Sequence, residues 1–235
     1  MVLACPPGAF SWTLVRKNFA HLKEIAQSEN FKRVAGILFD LGSSLHQLKV
    51  PCRGFSFDDD YSLDMRMDPN IPLSAYDLVN GLSQKELGKI FKDFGEERYW
   101  ARIAKKIVDE RRRQPIKTAR QLAELISRIS PVSGKKRRIH PATRSFQALR
   151  IAVNNEINNL AVALPQASEV LEKKGRLVVI SFHSLEDRIV KNFFKNEEKK
   201  KKLRILTKKP VLPDKREIEK NPSSRSAKLR AAEKI

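Results

Sequence analysis

Cysteine is almost absent: Cys5 and Cys52 are the two present, with neither a metal-ligand spacing nor the density of a disulfide framework. That excludes the small secreted scaffold held by disulfides and points to a reducing compartment, so a cytoplasmic protein is expected. Long apolar runs are missing too. None approaches the roughly 20 residues of a membrane-spanning helix, and the first residues lack the charged stretch and apolar core of a signal peptide. No membrane association is expected. Histidine is sparse, and His21, His46, His140 and His183 show no paired ligand spacing, so no metal is expected. There is no Gly-x-Ser-x-Gly turn, which disfavours a serine hydrolase of the α/β type. Acid is scarce as well: 27 Asp and Glu face 47 Lys and Arg, a net charge of +20. Such a surplus favours a polyanionic partner, because neutralising phosphates releases counterions whatever the base sequence. A protein merely kept soluble by its charge is the plainer alternative. Basic residues recur in several segments rather than in one tail, which favours nucleic acid.

What is present suits one domain, or one domain carrying an insertion: 235 residues with 41% hydrophobic content can bury a core. The most informative stretch is Arg176-Leu-Val-Val-Ile-Ser-Phe-His-Ser-Leu-Glu-Asp-Arg188. A β-branched run opens there into a polar cluster, as a buried parallel strand does at the carboxyl edge of an α/β sheet. Val34-Ala-Gly-Ile-Leu-Phe-Asp-Leu-Gly-Ser-Ser44 repeats the design. Thr13-Leu14-Val15 is a third, short strand candidate, and residues 203–207 a fourth. Residues 47–70 form an irregular loop with large apolar residues, too specific for a mere linker. Residues 74–130 are helical in pattern. Ser83 to Glu86 and Thr118 to Gln121 are capping boxes ahead of apolar stripes, and Arg111-Arg112-Arg113 closes one helix where its dipole favours cations. A long amphipathic helix follows Pro141, its apolar positions running from Phe146 to Leu164 and ending before Gly175.

The candidate chemistry sits at the two strand ends. Asp40 is either a carboxylate in the sheet crevice or a turn cap. His183 is an acid or base, a ligand contact, or a hydrogen-bonded strand end, with Ser184-x-Glu186 equally readable as a plain helix N-terminus. Arg144, Arg150 and Asn154 decorate a helix whose other side is apolar, either as a solvated face or as phosphate and base contacts.

Several segments together are similar to one family. They are Phe39-Asp-Leu-Gly-Ser-Ser-x-x-Gln-Leu48, Arg53-Gly-Phe-Ser-Phe57, Leu63-Asp-Met-Arg-Met-Asp-Pro69, Phe94-Gly-Glu-Glu-Arg98, His140-Pro-Ala-Thr-Arg-Ser-Phe-Gln-Ala-Leu-Arg-Ile151, the 175–188 stretch and Ser224-Arg-Ser-Ala-Lys-Leu-Arg230. In this order they resemble the bacterial 16S rRNA cytosine-N4 methyltransferases of the small-subunit methyltransferase H, or MraW, family. The resemblance implies an α/β class I (Rossmann-like) S-adenosylmethionine-dependent sheet over residues 1–71 and 141–235, with an inserted helical substrate-recognition subdomain over 72–140. It implies S-adenosylmethionine as methyl donor and a cytidine N4 in the decoding region of the small ribosomal subunit as acceptor. Asp40 and His183 are then the catalytic candidates, and Phe19, Asp40 and Gln47 the cofactor contacts. Arg53, Phe55, Phe57, Arg66, Arg144, Arg150, Asn154 and Ser184 are the candidates for substrate RNA. The Asn/Asp-Pro-Pro-aromatic motif of many amino-methyltransferases is absent, which disfavours a DNA-directed relative.

One departure stands out. The family opens with a strand, a Gly-rich turn and a helix for the cofactor, whereas residues 1–12 hold a single glycine, Gly8. The sheet is therefore expected to be N-terminally incomplete, with Val34 to Asp40 a bare edge and cofactor binding weak or missing. The alternative to an active enzyme is a catalytically inactive rRNA-binding remnant.

Overall fold

The structure is a computed structural model that describes residues 12–42, 53–129 and 140–235. After a short 3-10 turn at Phe19–His21, the elements run α1 (Leu22–Ser28), β1 (Val34–Asp40), α2 (Ala75–Gly81), α3 (Gln84–Asp93), α4 (Trp100–Arg111) and α5 (Ala119–Ile129). They continue with α6 (Thr143–Asn154), α7 (Glu156–Val170), β2 (Leu171–Ser181), α8 (Ser184–Lys199), β3 (Leu203–Ile205), α9 (Lys215–Lys220) and β4 (Lys228–Lys234). No described helix is long and apolar enough to cross a membrane.

The chain divides into two compact units, one comprising the residues up to Gly42 and from Ile157 onward, the other Ser43–Glu156. The second unit is wider than the 72–140 expected for an insertion, and its core shows why. Leu63 and Met65 from the irregular loop, and Phe146, Leu149 and Val153 from α6, are buried with Leu87, Phe91, Ile103, Ile107, Leu122 and Ile126. The loop and α6 bury their apolar residues in the helical core, so neither belongs to the sheet's unit.

The sheet unit is mixed α/β, consistent with a Rossmann-like methyltransferase fold, with strand order β1-β2-β4-β3. β1 and β2 run parallel, with Phe39 opposite Val179 and Asp40 opposite Ile180. β4 is antiparallel to both β2 and β3. Leu160, Ala163, Leu164 and Ala167 of α7, at helical spacing, meet Phe39, Leu177 and Val179 in the core. Among the described residues β1 is an edge, with Leu38 62% exposed.

Several expectations need correction. Thr13 to Val15 is not a strand: no described strand offers it a ladder, and Leu14 lies 63% exposed. The helix expected from Pro141 through Leu164 is two helices, because Asn155 takes a left-handed φ of 51° and ends α6. β2 starts earlier than expected, since Leu171 already pairs with Val34 before residues 172–175 bulge out of register. Arg111 does not simply cap α4. Its guanidinium donates to the Val79 carbonyl at 2.6 Å, and burial together with Arg112 lowers its pKa. The final strand β4 carried no apolar alternation that would have announced it. Both expected capping boxes form: Ser83 and Glu86 exchange bonds of 2.8 and 3.3 Å, and Thr118 and Gln121 bonds of 3.3 and 3.2 Å.

Candidate active site

Parallel pairing brings the ends of β1 and β2 to one edge of the sheet. The ladder continues one residue past β1, where Leu41 N–H donates to the Ile180 carbonyl at 3.1 Å. Asp40 is exposed there, and its carboxylate makes no hydrogen bond or ion pair with any described residue. Gly42 follows at a φ of 94°, a turn that side-chain-bearing residues rarely adopt.

Across the edge, His183 is the N-cap of α8, closing a capping box with Glu186. His183 Nδ1 accepts from the Glu186 amide at 3.4 Å, while the Glu186 carboxylate accepts from the amides of Phe182 (2.8 Å) and His183 (3.3 Å). An accepting Nδ1 leaves the imidazole proton on Nε2. That Nε2 is buried 3.1 Å from Glu186 Oε1, but out of line for a hydrogen bond. The histidine is therefore a fixed ring that shapes the strand-to-helix turn. Just beyond it, Asp187 takes a bidentate pair from Arg230 of β4, at 2.6 and 3.2 Å, clamping α8 to the sheet. Ser184 is the first residue of α8.

Phe19 opens the 3-10 turn, which Asn18 caps by accepting from Ala20 N–H at 2.9 Å. Its ring lies 5.7 Å from Phe39, tilted by 55°. Neighbouring residues on a strand face opposite sides, so Phe19 packs on the Phe39 face and Asp40 projects from the other. Gln47 lies outside the described residues.

The remaining candidates belong to the helical unit, and most of them build its loop. Gly54 has φ +69°, and a Cβ there would lie 2.7 Å from the Ser62 carbonyl. Asp59 accepts from Gly54 N–H (3.0 Å) and Tyr61 N–H (3.0 Å). The Arg53 guanidinium donates to the carbonyls of Arg66 and Met67 and lies over the Phe55 ring at 5.7 Å. Arg66 forms a two-point pair with Asp64 at 2.6 and 3.2 Å and donates to the carbonyls of Pro69 and Ile71, and the Asp64 hydrogen bond raises its pKa. From α6, Asn154 clasps the loop by accepting from Met67 N–H at 2.6 Å and donating to the Met65 and Arg150 carbonyls, both at 2.8 Å. Arg150 forms a two-point pair with Glu156 at 2.8 and 3.0 Å. Two candidates lie apart from this loop network, though Phe57 is half-buried with its ring edge-on to Phe146 at 4.9 Å. Arg144 is exposed, with one bond to the Glu96 carbonyl at 3.0 Å, and Phe57 stacks on His140 at 4.5 Å.

A carboxylate at the carboxyl edge of a mixed sheet, beside a helix N-terminus capped by histidine, fits the Rossmann-like methyltransferase class. Residues 9–235 match the MraW methylase family, and the chain belongs to it. Its relatives include a protein of Sulfurihydrogenibium sp., 49% identical over 95% of this chain and 76% of its own length. One from Thermomicrobium roseum is 52% identical over 93% of this chain and 71% of its own length. One from Coprothermobacter proteolyticus is 50% identical over 97% and 75%. All three bear the name ribosomal RNA small subunit methyltransferase H.

Sequence reasoning did not single out Asp59, Asp64 or Arg230 as site-building residues. Asp59 and Asp64 carried a signal, as acids in a loop too polar to stay ordered without internal partners. Arg230 carried one only in hindsight, as a basic residue in the middle of a short strand.

Proposed function

We propose that this protein transfers the methyl group of S-adenosylmethionine to the exocyclic N4 of a cytidine in the decoding region of 16S rRNA, in the cytoplasm. The observation that carries this reading is the exposed Asp40 carboxylate at the sheet edge, without a partner among the described residues, in a chain that matches a methylase family along residues 9–235. Cytosine N4 is a poor nucleophile because its lone pair is shared with the ring. Its attack demands alignment, together with an acceptor for the N–H bonds that become acidic as charge develops on nitrogen. Asp40 is suited to this role, since an acceptor already satisfied by the protein would have to break bonds first. The target base must leave its stack to reach such an edge.

The donor's fit rests on the same residues. Asp40, without a partner among the described residues, offers acceptor oxygens to a hydroxyl or amine. The half-buried Phe19 ring offers a flat apolar surface to an adenine on the opposite, Phe39 face, so the donor is taken to span the end of β1. Gln47 is assigned to the same set. S-adenosylmethionine supplies an activated methyl on a sulfonium, so no further activation is asked of the protein. His183, with Nδ1 committed to the cap, acts as a positioning residue for the edge, and Ser184, assigned to the substrate, follows it at the start of α8. For the rRNA we assign direct contact to Arg144 and Phe57. Arg53, Phe55, Arg66 and Asn154 keep the 53–71 loop in the shape that meets the substrate, while Arg150, paired with Glu156, braces the junction of α6 and α7 beside Asn154.

The test is incubation of the protein with methyl-labelled S-adenosylmethionine and unmodified small-subunit particles, followed by nucleoside analysis. Label in N4-methylcytidine is expected. Label in another nucleoside overturns the acceptor, and particle binding without any label identifies a catalytically inactive rRNA binder instead.

A further inference from the structure

Residues 191–235 hold 16 Lys and Arg against 6 Asp and Glu, so half of the net charge of +20 falls in 45 residues. That charge gathers on an ordered turn. Lys199 ends α8, and residues 200–202 lead directly into β3. Backbone bonds close the turn: Lys200 N–H to Asn196, Lys201 N–H to Glu198 and Lys202 N–H to Glu197, at 3.2, 2.9 and 3.0 Å. The Ile235 amide then ties the end of the chain to the Lys202 carbonyl at 3.1 Å. Lys201 adopts a left-handed φ of 56°, and Leu203, immediately after the turn, is fully buried. The four ammonium groups are thus carried on a pre-formed backbone.

Beside the turn lies an open groove of ≈ 580 Å³ whose lining includes Lys200, Lys201, Lys202 and Lys234, with Asn196 and Ser168 as neutral polar groups. Two acids offset part of the charge: Glu197, at 2.7 Å from Lys200 and 4.0 Å from Lys202, and Glu169, which also lines the groove and pairs with Lys23 at 2.8 Å. Lys199 and Lys201 have no ion-pair partner among the described residues, nor do Lys208 and Lys209 further along. The helix dipole accounts for cations in the last turn of α8, but not for those beyond it.

The turn sits at the end of the sheet where β2 begins, because Lys234, opposite Leu203, also donates to the Leu171 carbonyl at 2.6 Å. Asp40 and His183 lie at the other end, roughly 20 Å away at ordinary strand rise, since Val34 pairs with Leu171 and Asp40 with Ile180. A small anion cannot touch both ends. A nucleic acid can, since it presents phosphates at intervals of a few ångströms over that whole distance.

We propose that residues 199–202, with the groove beside them, form a phosphate-binding platform that holds the RNA backbone of the substrate at a distance from the methyl-transfer edge. This rests on the rRNA reading above. The platform reads no bases, and it supplies salt-dependent affinity and register.

The test compares wild type with two combined variants, one carrying Lys199→Gln, Lys200→Gln, Lys201→Gln and Lys202→Gln, the other carrying Arg at the same four positions. Binding to small-subunit rRNA is measured from low to moderate salt, and methyl transfer is measured alongside. For the Gln variant, the slope of log affinity against log salt falls by about 2 to 3, and KM for the particle rises about tenfold with kcat unchanged. The Arg variant keeps the wild-type slope, which separates charge from folding. A Gln variant with the wild-type slope overturns the platform and leaves the methyl-transfer reading intact. Wild type that neither binds nor methylates rRNA overturns both. Loss of affinity for anionic lipid vesicles, with the rRNA slope unchanged, assigns the turn to a membrane surface and also overturns the proposal.

Discussion

Replacing Asn154 by alanine tests how the helical unit holds its loop. Asn154 is 6% exposed and spends its amide on three backbone groups: it accepts from Met67 N–H at 2.6 Å and donates to the carbonyls of Met65 and Arg150. Removing it erases three bonds worth about 1 kcal/mol each and leaves at least one partly buried amide without an acceptor. A loss of about 2 to 4 kcal/mol is expected. Asn154→Asp is the sharper variant. It keeps an acceptor for Met67 N–H but turns a carboxylate oxygen toward two carbonyls, so it should cost at least as much as alanine. Tryptophan fluorescence during urea unfolding is a suitable assay, because Trp100 lies within the helical unit while Trp12 is 48% exposed and contributes little change. A loss below about 0.5 kcal/mol for alanine, or wild-type stability for aspartate, would refute the clasp.

Further outcomes follow from other pairs. Ser74 and Asp77 form a capping box on α2, and the Ser74 hydroxyl and amide together hold the Asp77 carboxyl below its ordinary pKa of 3.8. Ser74→Ala should therefore cost about 1 kcal/mol near neutrality. Because the folded pKa is depressed, the part carried by the ionised carboxylate is present above pH 3.8 and fades as pH falls below it, so the gap between wild type and variant should narrow in acid. The Arg230–Asp187 pair has side chains 8% and 16% exposed, and Arg230→Met should destabilise the sheet unit by about 3 kcal/mol by stranding a carboxylate. The double variant with Asp187→Leu should recover most of this in circular-dichroism melts. A double variant no better than the single one would show that the pair acts through something other than its charges.

The sheet edge was legible in the sequence because its signal is local. An apolar run that ends in Asp40 or His183 marks a parallel strand reaching the carboxyl edge of a sheet, and both strands end where the pattern put them, although β2 begins earlier. Capping boxes were equally local, needing only four residues each. What the pattern hid was long-range. That Arg53 and Arg66 spend their charge on loop carbonyls, 13 residues apart in the first case, depends on a backbone path that no periodicity records. The width of the helical unit was hidden for the same reason, since Leu63 and Met65 look like loop residues until the core they fill is known. The break between α6 and α7 rests on a single left-handed asparagine within an otherwise unbroken helical stripe.

The most direct measurement is methyl transfer to small-subunit rRNA by wild type and by Asp40→Asn, scored as N4-methylcytidine after nucleoside digestion. Asp40 is exposed and has no described partner, so the variant should melt with wild type, while its rate of methyl transfer falls about 100-fold or more. A variant that methylates as fast as wild type, or a wild type that leaves cytidine N4 unmodified, would contradict the assignment of chemistry to this edge.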